Sequence, residues 1–445
     1  MASEQQKPAV SFIGLGAMGF GMATHLVKQG YAVTGFDVWP PARNRFEQAG
    51  GATASTPAAA VANKPFCVCM VATADQAQAV FFDGPDAIVP ALPQGATLLL
   101  CSTVPCDYVQ SLERQLASVG RGDILLVDSP VSGGASRAAD GTLSIMAGMS
   151  DAALAAARPL LEEMADPKKL YIVRGGVGAG SNMKMVHQVL AACQILAASE
   201  AMGFAVSLGL DMAKAQQAIL ASDAWSWFFE HRSPRMFPGV QEVASAVNII
   251  AKDTGIIMAE ARRSRFPTPM TGMAEQFYLT TIGKGYGRSD DSSLVRLYLG
   301  ERNADQLPPK CETEEEKLAL VIDLHKAILL CSAAESLSFA NFVGLDLDQV
   351  FDLCINAAGA STMLQQYGPA LMDALRAGAA SKEWTAKDST PSVQDLAERL
   401  HVILDEARRI KAPVYLGYQA SELFRQALKF GTPSLAIGAL VNVWA

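Results

Sequence analysis

The run FIGLGAMG, Phe12 to Gly19, decides the fold. It sets Gly14, Gly16 and Gly19 in the spacing G-x-G-x-x-G, between the β-rich apolar run AVSFIGLG and an Ala-rich amphipathic segment, Met18 to Lys28. In this pattern the first glycine turns the chain after the strand. The second lets the backbone approach a pyrophosphate. The third lets helix pack on sheet, and the helix N-terminus faces the phosphates. The spacing alone also occurs in ordinary glycine turns. Here Asp37 ends the next apolar run, 23 residues after Gly14, where a carboxylate can bind ribose hydroxyls. Together these features read as a dinucleotide-binding site. Asp37 repels a 2′-phosphate and Val38 supplies no cation, so NAD is favoured over NADP. Arg43 is the one nearby residue that argues for the phosphorylated cofactor.

Outward from this run, short apolar stretches recur through residue 176: AVTGFDV, FCVCMVA, TLLLCST and ILLVDSP. Amphipathic segments such as Pro41 to Gln48 separate most of them. Strands alternating with helices predict a parallel sheet with crossover helices. From Gly178 onward the strand signal fades, and Ala, Leu, Met and Glu recur with helical period. The chain has 445 residues, which at roughly 150 per domain suggests about three domains. Half the residues are hydrophobic and 18% are charged, which argues against disorder and supports sizeable cores.

Acidic residues outnumber basic ones 44 to 36, a net charge of −8. That balance argues against nucleic acid or an anionic membrane as partner. Eight cysteines without a CxxC pair argue against a disulfide framework or a metal centre. Cys67 and Cys69 read as small buried hydrophobes. The start MASEQQKPAV lacks a signal pattern, and the apolar stretch Val189 to Met212 carries Glu200, as a buried helix does. A cytoplasmic protein is expected.

An internal repeat runs through the helical part. Ala197 to Met212 matches Ser332 to Leu347 at 7 of 16 positions, and Glu260 to Pro267 (EARRSRFP) matches Glu406 to Pro413 (EARRIKAP). The offset grows from 135 to 146 residues, so the second copy carries an insertion of 11, with GAASKEWTAKD as a plausible place. Two matches in one order favour duplication. The polar stretch Gly300 to Lys317 reads as a linker.

Three further segments carry chemistry. In DSPVSGG, Ser132, Gly133 and Gly134 form a small-residue turn whose N–H groups can hold a carboxylate. An ordinary loop would read the same. In GGVGAGSNMKMVHQ, Lys184, His187 and Gln188 fall at i, i+3 and i+4, on one helix face. Desolvation beside an oxidised nicotinamide would lower the lysine's pKa and let it shuttle a proton. The plain alternatives are a snorkelling lysine and a core histidine. Lys252 and Asp253 sit in the otherwise apolar NIIAKDTG, and Trp225, Trp227, Phe228 and Phe229 crowd one short stretch.

GLGAMGFGMATHL, DSPVSGG, GVGAGSNMKMVHQ and IIAKDTG occur in the order of the β-hydroxyacid dehydrogenase family, which includes 3-hydroxyisobutyrate dehydrogenase. The chain resembles that family from Val10 to about Tyr298, and KMVHQ and SWFFEHR look most like its L-threonate dehydrogenase branch. The resemblance implies a Rossmann domain and an all-helical domain joined by a long helix. It implies Lys184 as acid/base, Ser132 to Gly134 on the substrate carboxylate, and Ser102 and Thr103 near the nicotinamide. Many members have Asn where His187 and Gln188 stand, which alters the second polar contact to substrate. Trp227 completes the expected substrate side. The expected cofactor contacts are Gly14, Gly16, Ala17, Met18, Gly19, Asp37, Ala72, Thr73, Ser102, Thr103 and Lys252.

The expected layout is an α/β Rossmann domain over 1–177 and a 6-phosphogluconate-dehydrogenase-like helical domain over 178–300. A linker over 301–316 and a second, degenerate helical domain over 317–445 follow. In that copy Lys184 maps to Ala319, His187 to Ile322, Gln188 to Asp323 and Lys252 to Glu398, so no second active site is expected. The copy would instead make an intrachain pseudo-dimer, with a homo-oligomer left open. The expected activity is NAD-dependent oxidation of a short hydroxy acid, threonate-like or 3-hydroxyisobutyrate-like. One rival is an imine reductase or reductive aminase, whose members usually lack the lysine. The other is a non-catalytic NAD-binding scaffold.

Overall fold

The computed structural model describes residues 7–240, 242–299, 307–378, 391–429 and 436–444. The proposed insertion GAASKEWTAKD, apart from Gly378 at its edge, and residues 301–306 at the start of the expected linker lie outside these residues. The chain divides into two compact units, Met1–Lys184 and Met185–Ala445.

The first unit holds β1 (Val10–Ile13), β2 (Val33–Phe36), β3 (Ala52–Thr53), β4 (Phe66–Cys69), β5 (Thr97–Leu100), β6 (Leu125–Asp128), β7 (Val131–Ser132), β8 (Leu143–Met149) and β9 (Ala165–Ile172). Its helices are α1 (Ala17–Lys28), α2 (Pro40–Gln48), α3 (Pro57–Val61), α4 (Ala74–Phe82), α5 (Ile88–Ala91), α6 (Cys106–Ser118), α7 (Gly134–Asp140) and α8 (Asp151–Met164). The strand order is β3-β2-β1-β4-β5-β6-β8-β7, with β9 beside β8. Strands β1 to β6 are parallel and β8 runs antiparallel to β6. This is the doubly wound order whose strand ends open a crevice beside β1. Both faces of the parallel strands are covered, so the strands read as near-continuous apolar runs. One core packs Phe12, Val68, Leu99 and Val127 against α1 and α8, and the other packs Ile13, Cys67, Cys69 and Leu100 against α4 and α6. Full burial pushes the Cys67 thiol up to about 12, as befits a packing residue.

Helix α9 (Ala179–Ser207) leaves the first unit and enters the second. The second unit continues with α10 (Met212–Leu220), α11 (Trp227–Arg232), α12 (Val247–Ser264), α13 (Pro269–Gly283) and a 3₁₀ segment, Asp291–Leu297. Then α14 (Glu314–Phe342), α15 (Leu347–Asn356), α16 (Thr362–Ala377), α17 (Val393–Arg409), α18 (Tyr415–Lys429) and a further 3₁₀ segment, Ile437–Trp444, run in the same succession. Among the described residues α9 is the one helix long and apolar enough to cross a membrane, and 94% of its most apolar window is buried inside the fold.

The two helical sets lock together through reciprocal contacts. Glu200 on α9 accepts the N–H groups of Leu416 (3.1 Å) and Gly417 (2.8 Å) at the start of α18. Glu335 on α14 accepts those of Met270 (2.8 Å) and Thr271 (2.9 Å) at the start of α13. Each carboxylate thus answers helix N–H groups that lack intrahelical partners. Tyr298 adds a hydroxyl to Glu200 at 3.0 Å, and Thr271 adds one to Glu335 at 2.6 Å. Between these anchors Ser226 and Ser361 form an antiparallel bridge. Trp227 donates its N–H to the Ala360 carbonyl at 2.9 Å, and Thr362 donates to that of Trp225 at 3.0 Å.

Candidate active site

The glycine run forms the turn that its spacing predicts. Gly14 has φ +94°, and a Cβ there would lie 2.3 Å from the Met70 carbonyl oxygen; at Gly19 it would lie 2.0 Å from that of Gly14. Neither position admits a side chain. Gly16 and Ala17 are exposed at the start of α1, and a Cβ at Gly16 would meet nothing within 4 Å. The loop is therefore closed toward the sheet and open toward solvent beside a helix N-terminus, as a pyrophosphate cradle requires. Met18 packs on the core and Gly19 is buried.

Asp37 follows β2 and accepts the N–H of Leu15 at 2.7 Å and that of Trp39 at 2.8 Å. The first bond ties the carboxylate to the glycine turn. A carboxylate offers about four lone-pair sites, so acceptors remain for ribose hydroxyls. Arg43 lies 5.7 Å from the Phe36 ring. Sequence reading missed Arg45, whose guanidinium covers the Phe20 ring at 3.7 Å and donates to the Leu15 carbonyl at 3.3 Å. Two guanidinium groups, and not Arg43 alone, therefore stand on the element after Asp37.

At the ends of β4 and β5, Ser102 is fully buried and its hydroxyl accepts the Val71 N–H at 2.9 Å. That bond fixes the loop carrying Ala72 and Thr73. Ala72 donates to Gln76 Oε1, and Thr73 caps α4 by accepting the Gln76 N–H. Thr103 is half-buried on the adjoining loop. Ser132 ends β7, and Gly133 (φ +139°) and Gly134 (φ +74°) turn the chain into α7. Consecutive backbone N–H groups in such a turn suit an anion.

Lys184 lies in the second turn of α9 and is buried. Its placement depends on a residue that sequence reading left unassigned. Asp128, fully buried at the end of β6, accepts the Ser181 N–H at 2.7 Å and the Ser181 hydroxyl at 2.7 Å. Burial pushes its carboxyl up to about 6, opposed by hydrogen bonds from Ser181, Gly178 and Gly180. Gly180 stands inside the first turn, and a Cβ there would lie 2.4 Å from the Met146 carbonyl oxygen. Carboxylate and glycine together seat the start of α9 on β6 and β8.

In the second unit, Gln188 donates to Asp253 Oδ2 at 2.6 Å, and its Oε1 lies 3.2 Å from His187 Nδ1. Lys252 pairs with Asp253 Oδ1 at 2.9 Å. His187, Gln188, Lys252 and Asp253 therefore form one polar cluster. Trp227 is half-buried and stacks on His231 with ring centroids 3.7 Å apart.

Residues 9–176 match the NAD-binding domain of 6-phosphogluconate dehydrogenase, and residues 178–298 match the NAD-binding domain of NADP-dependent 3-hydroxyisobutyrate dehydrogenase. The L-threonate dehydrogenase of Cupriavidus necator is 36% identical over 303 residues, covering 68% of this chain and 99% of its own. The crystal structure of a 3-hydroxyisobutyrate dehydrogenase from Salmonella typhimurium is 30% identical, with a TM-score of 0.60 over 65% of this chain and all of that one. The 6-phosphogluconate dehydrogenase of Plasmodium falciparum is 15% identical, with a TM-score of 0.67 over 94% of this chain and 92% of that one. That last likeness is one of fold.

Proposed function

Because the chain belongs to the β-hydroxyacid dehydrogenase family, we propose that it oxidises a short hydroxy acid, threonate-like or 3-hydroxyisobutyrate-like, with Lys184 as general acid/base. NAD, held by the Gly14–Gly19 turn and Asp37, would supply the hydride acceptor. Ala17, Met18, Ala72, Thr73, Ser102, Thr103 and Lys252 would complete its contacts. The backbone of Ser132, Gly133 and Gly134 would bind the substrate carboxylate. Neutral Lys184 would take the hydroxyl proton, a role that suits a buried amine. His187, Gln188 and Trp227 would supply the rest of the substrate side. The single observation that carries this reading is the Asp128–Ser181 clasp, one helical turn before Lys184 and in the same compact unit as the glycine turn. A screen of C3 to C6 hydroxy acids with NAD and NADP, read at 340 nm, tests it. Silence with every hydroxy acid would leave a non-catalytic NAD-binding protein. The expected compartment is the cytoplasm, on the sequence grounds above.

The domain layout proposed is 1–177, 178–300, a linker over 301–316, and a second helical set over 317–445 that arose by duplication and packs on the first as a pseudo-dimer. Reciprocity supports it. Glu200 and Glu335 are equivalent at the 135-residue offset, and Met270 and Thr271 are equivalent to Leu416 and Gly417 at the 146-residue offset. Each glutamate reaches the helix start equivalent to the one its counterpart reaches, as residues across a two-fold interface do. Ser226 and Ser361 are equivalent to each other and pair directly. Arg265 and Lys411, also equivalent, both end a helix with positive φ, +61° and +57°.

A further inference from the structure

We infer that the segment Ala357–Ser361, between α15 and α16 of the second helical set, is a positioning element for the substrate side of the first set, with Gly359 as its size limit. The inference rests on the reading of His187, Gln188 and Trp227 as substrate-side residues. It gives the second set, where Ala319, Ile322 and Asp323 stand at the equivalents of Lys184, His187 and Gln188, a part in the reaction.

The segment grips the polar stretch of α9 and the start of α11 at once. Gln194 donates its Nε2–H to the Gly359 carbonyl at 2.9 Å. His187, Leu190 and Gln194 fall at i, i+3 and i+7, on one face of α9. A Cβ at Gly359 would lie 2.9 Å from Leu190 Cδ1 and 3.5 Å from His187 Cδ2. One residue on, the Ala360 carbonyl accepts the Trp227 N–H, and Ser361 pairs with Ser226. Ala360 and Ser361 are buried, so the segment has little room to yield. Its equivalent in the first set is Ala224, whose carbonyl accepts a hydrogen bond from His325 Nδ1 on α14 at 2.9 Å. The same carbonyl is thus answered from the opposite long helix in both sets. What differs is the side chain: the first set carries a methyl group, whereas the segment facing His187 carries glycine. Without a Cβ the chain passes close to the His187 ring at Cδ2, while Gln188 Oε1 meets the ring at Nδ1. A branched side chain at 359 must displace Leu190, the His187 ring or the loop itself.

The test uses the full chain. Gly359→Val should raise KM for a four-carbon hydroxy acid about tenfold and lower the kcat/KM ratio of four-carbon over three-carbon substrates by a similar factor. Both kcat for the smaller acid and the NADH Kd, read by fluorescence, should stay within threefold. Gly359→Val/Leu190→Ala, which opens space beside the new side chain, should restore the ratio by more than half relative to Leu190→Ala alone. Gly359→Ala gives a milder version of the same pattern should the valine variant fail to fold. A folded variant with unchanged KM and ratio overturns the inference. So does a uniform loss across substrates that Leu190→Ala does not relieve, which would mark ordinary packing. His187→Leu separates the two levels. If it raises KM and Gly359→Val does not, the positioning role alone fails. If it leaves KM unchanged, the substrate-side reading fails and takes the inference with it.

Discussion

Glu335→Gln probes the reciprocal lock between the two helical sets. The Glu335 carboxylate accepts three donors: Met270 N–H on one oxygen, and Thr271 N–H and Oγ–H on the other. A glutamine offers one oxygen and one NH₂, so in either orientation a donor faces a donor. Leaving one buried N–H without an acceptor costs about 1–3 kcal/mol. Burial acts the other way on the charge itself and pushes the Glu335 carboxyl from 4.5 up to about 7. A carboxyl whose folded pKa is raised holds its proton more tightly in the native state. Its contribution is fully present below pH 4.5 and is lost as pH rises to about 7. The loss amounts to roughly 3 kcal/mol, because each tenfold gain in proton affinity is worth about 1.4 kcal/mol. Glutamine has no such titration. The destabilisation caused by Glu335→Gln should therefore be largest near pH 5 and smaller by about 2–3 kcal/mol at pH 8. Glu200 is likewise pushed up to about 7 by burial, so Glu200→Gln should show the same magnitude and the same pH trend. Urea unfolding followed by circular dichroism at both pH values measures each effect. The pseudo-two-fold relation fails if one variant is destabilised and its counterpart is not. The proton linkage fails if the destabilisation is the same at pH 5 and pH 8.

Asp37→Ala should weaken NAD binding and narrow the preference for NAD over NADP; a wild type that already prefers NADP would instead point to Arg43 and Arg45. Asp128→Ala should strand the buried Ser181 N–H and hydroxyl, lower stability by about 1–3 kcal/mol and reduce kcat more than it raises KM, with Asp128→Asn recovering part of both; full activity with a lowered melting temperature would confine Asp128 to folding. Ending the chain near Gly300 should uncover the apolar face of the first helical set and give aggregation or a new dimer by light scattering. A soluble, fully active monomer would exclude the pseudo-dimer.

Features whose chemistry is local in sequence can be read in advance. The glycine turn, Asp37 at the end of β2 and the strands β1, β2, β4, β5 and β6 need only spacing and apolar runs. Strand β8 escapes such reading because Ser144, Ala147 and Gly148 break up the apolar run of Leu143–Met149. Its partner β9 escapes because it follows α8 without a turn and begins with the polar run Asp166 to Lys169. Asp128 is visible within DSPVSGG, yet its partner Ser181 lies 53 residues away. Arg45 and Arg43 differ in the direction of their side chains on α2, which spacing after Asp37 does not reveal. The repeat pairs Glu200 with Glu335, but no sequence pattern tells that Glu200 meets Gly417, 217 residues on.

The proposed reaction passes the hydroxyl proton of a hydroxy acid to Lys184. The most direct measurement is steady-state NADH formation at 340 nm from L-threonate and NAD, by wild type and by Lys184→Ala, with NAD affinity determined on both. The expected result is turnover by the wild type, a fall in kcat of roughly 10²-fold or more in the variant, and NAD affinity within about twofold. Near-normal turnover by Lys184→Ala would contradict it.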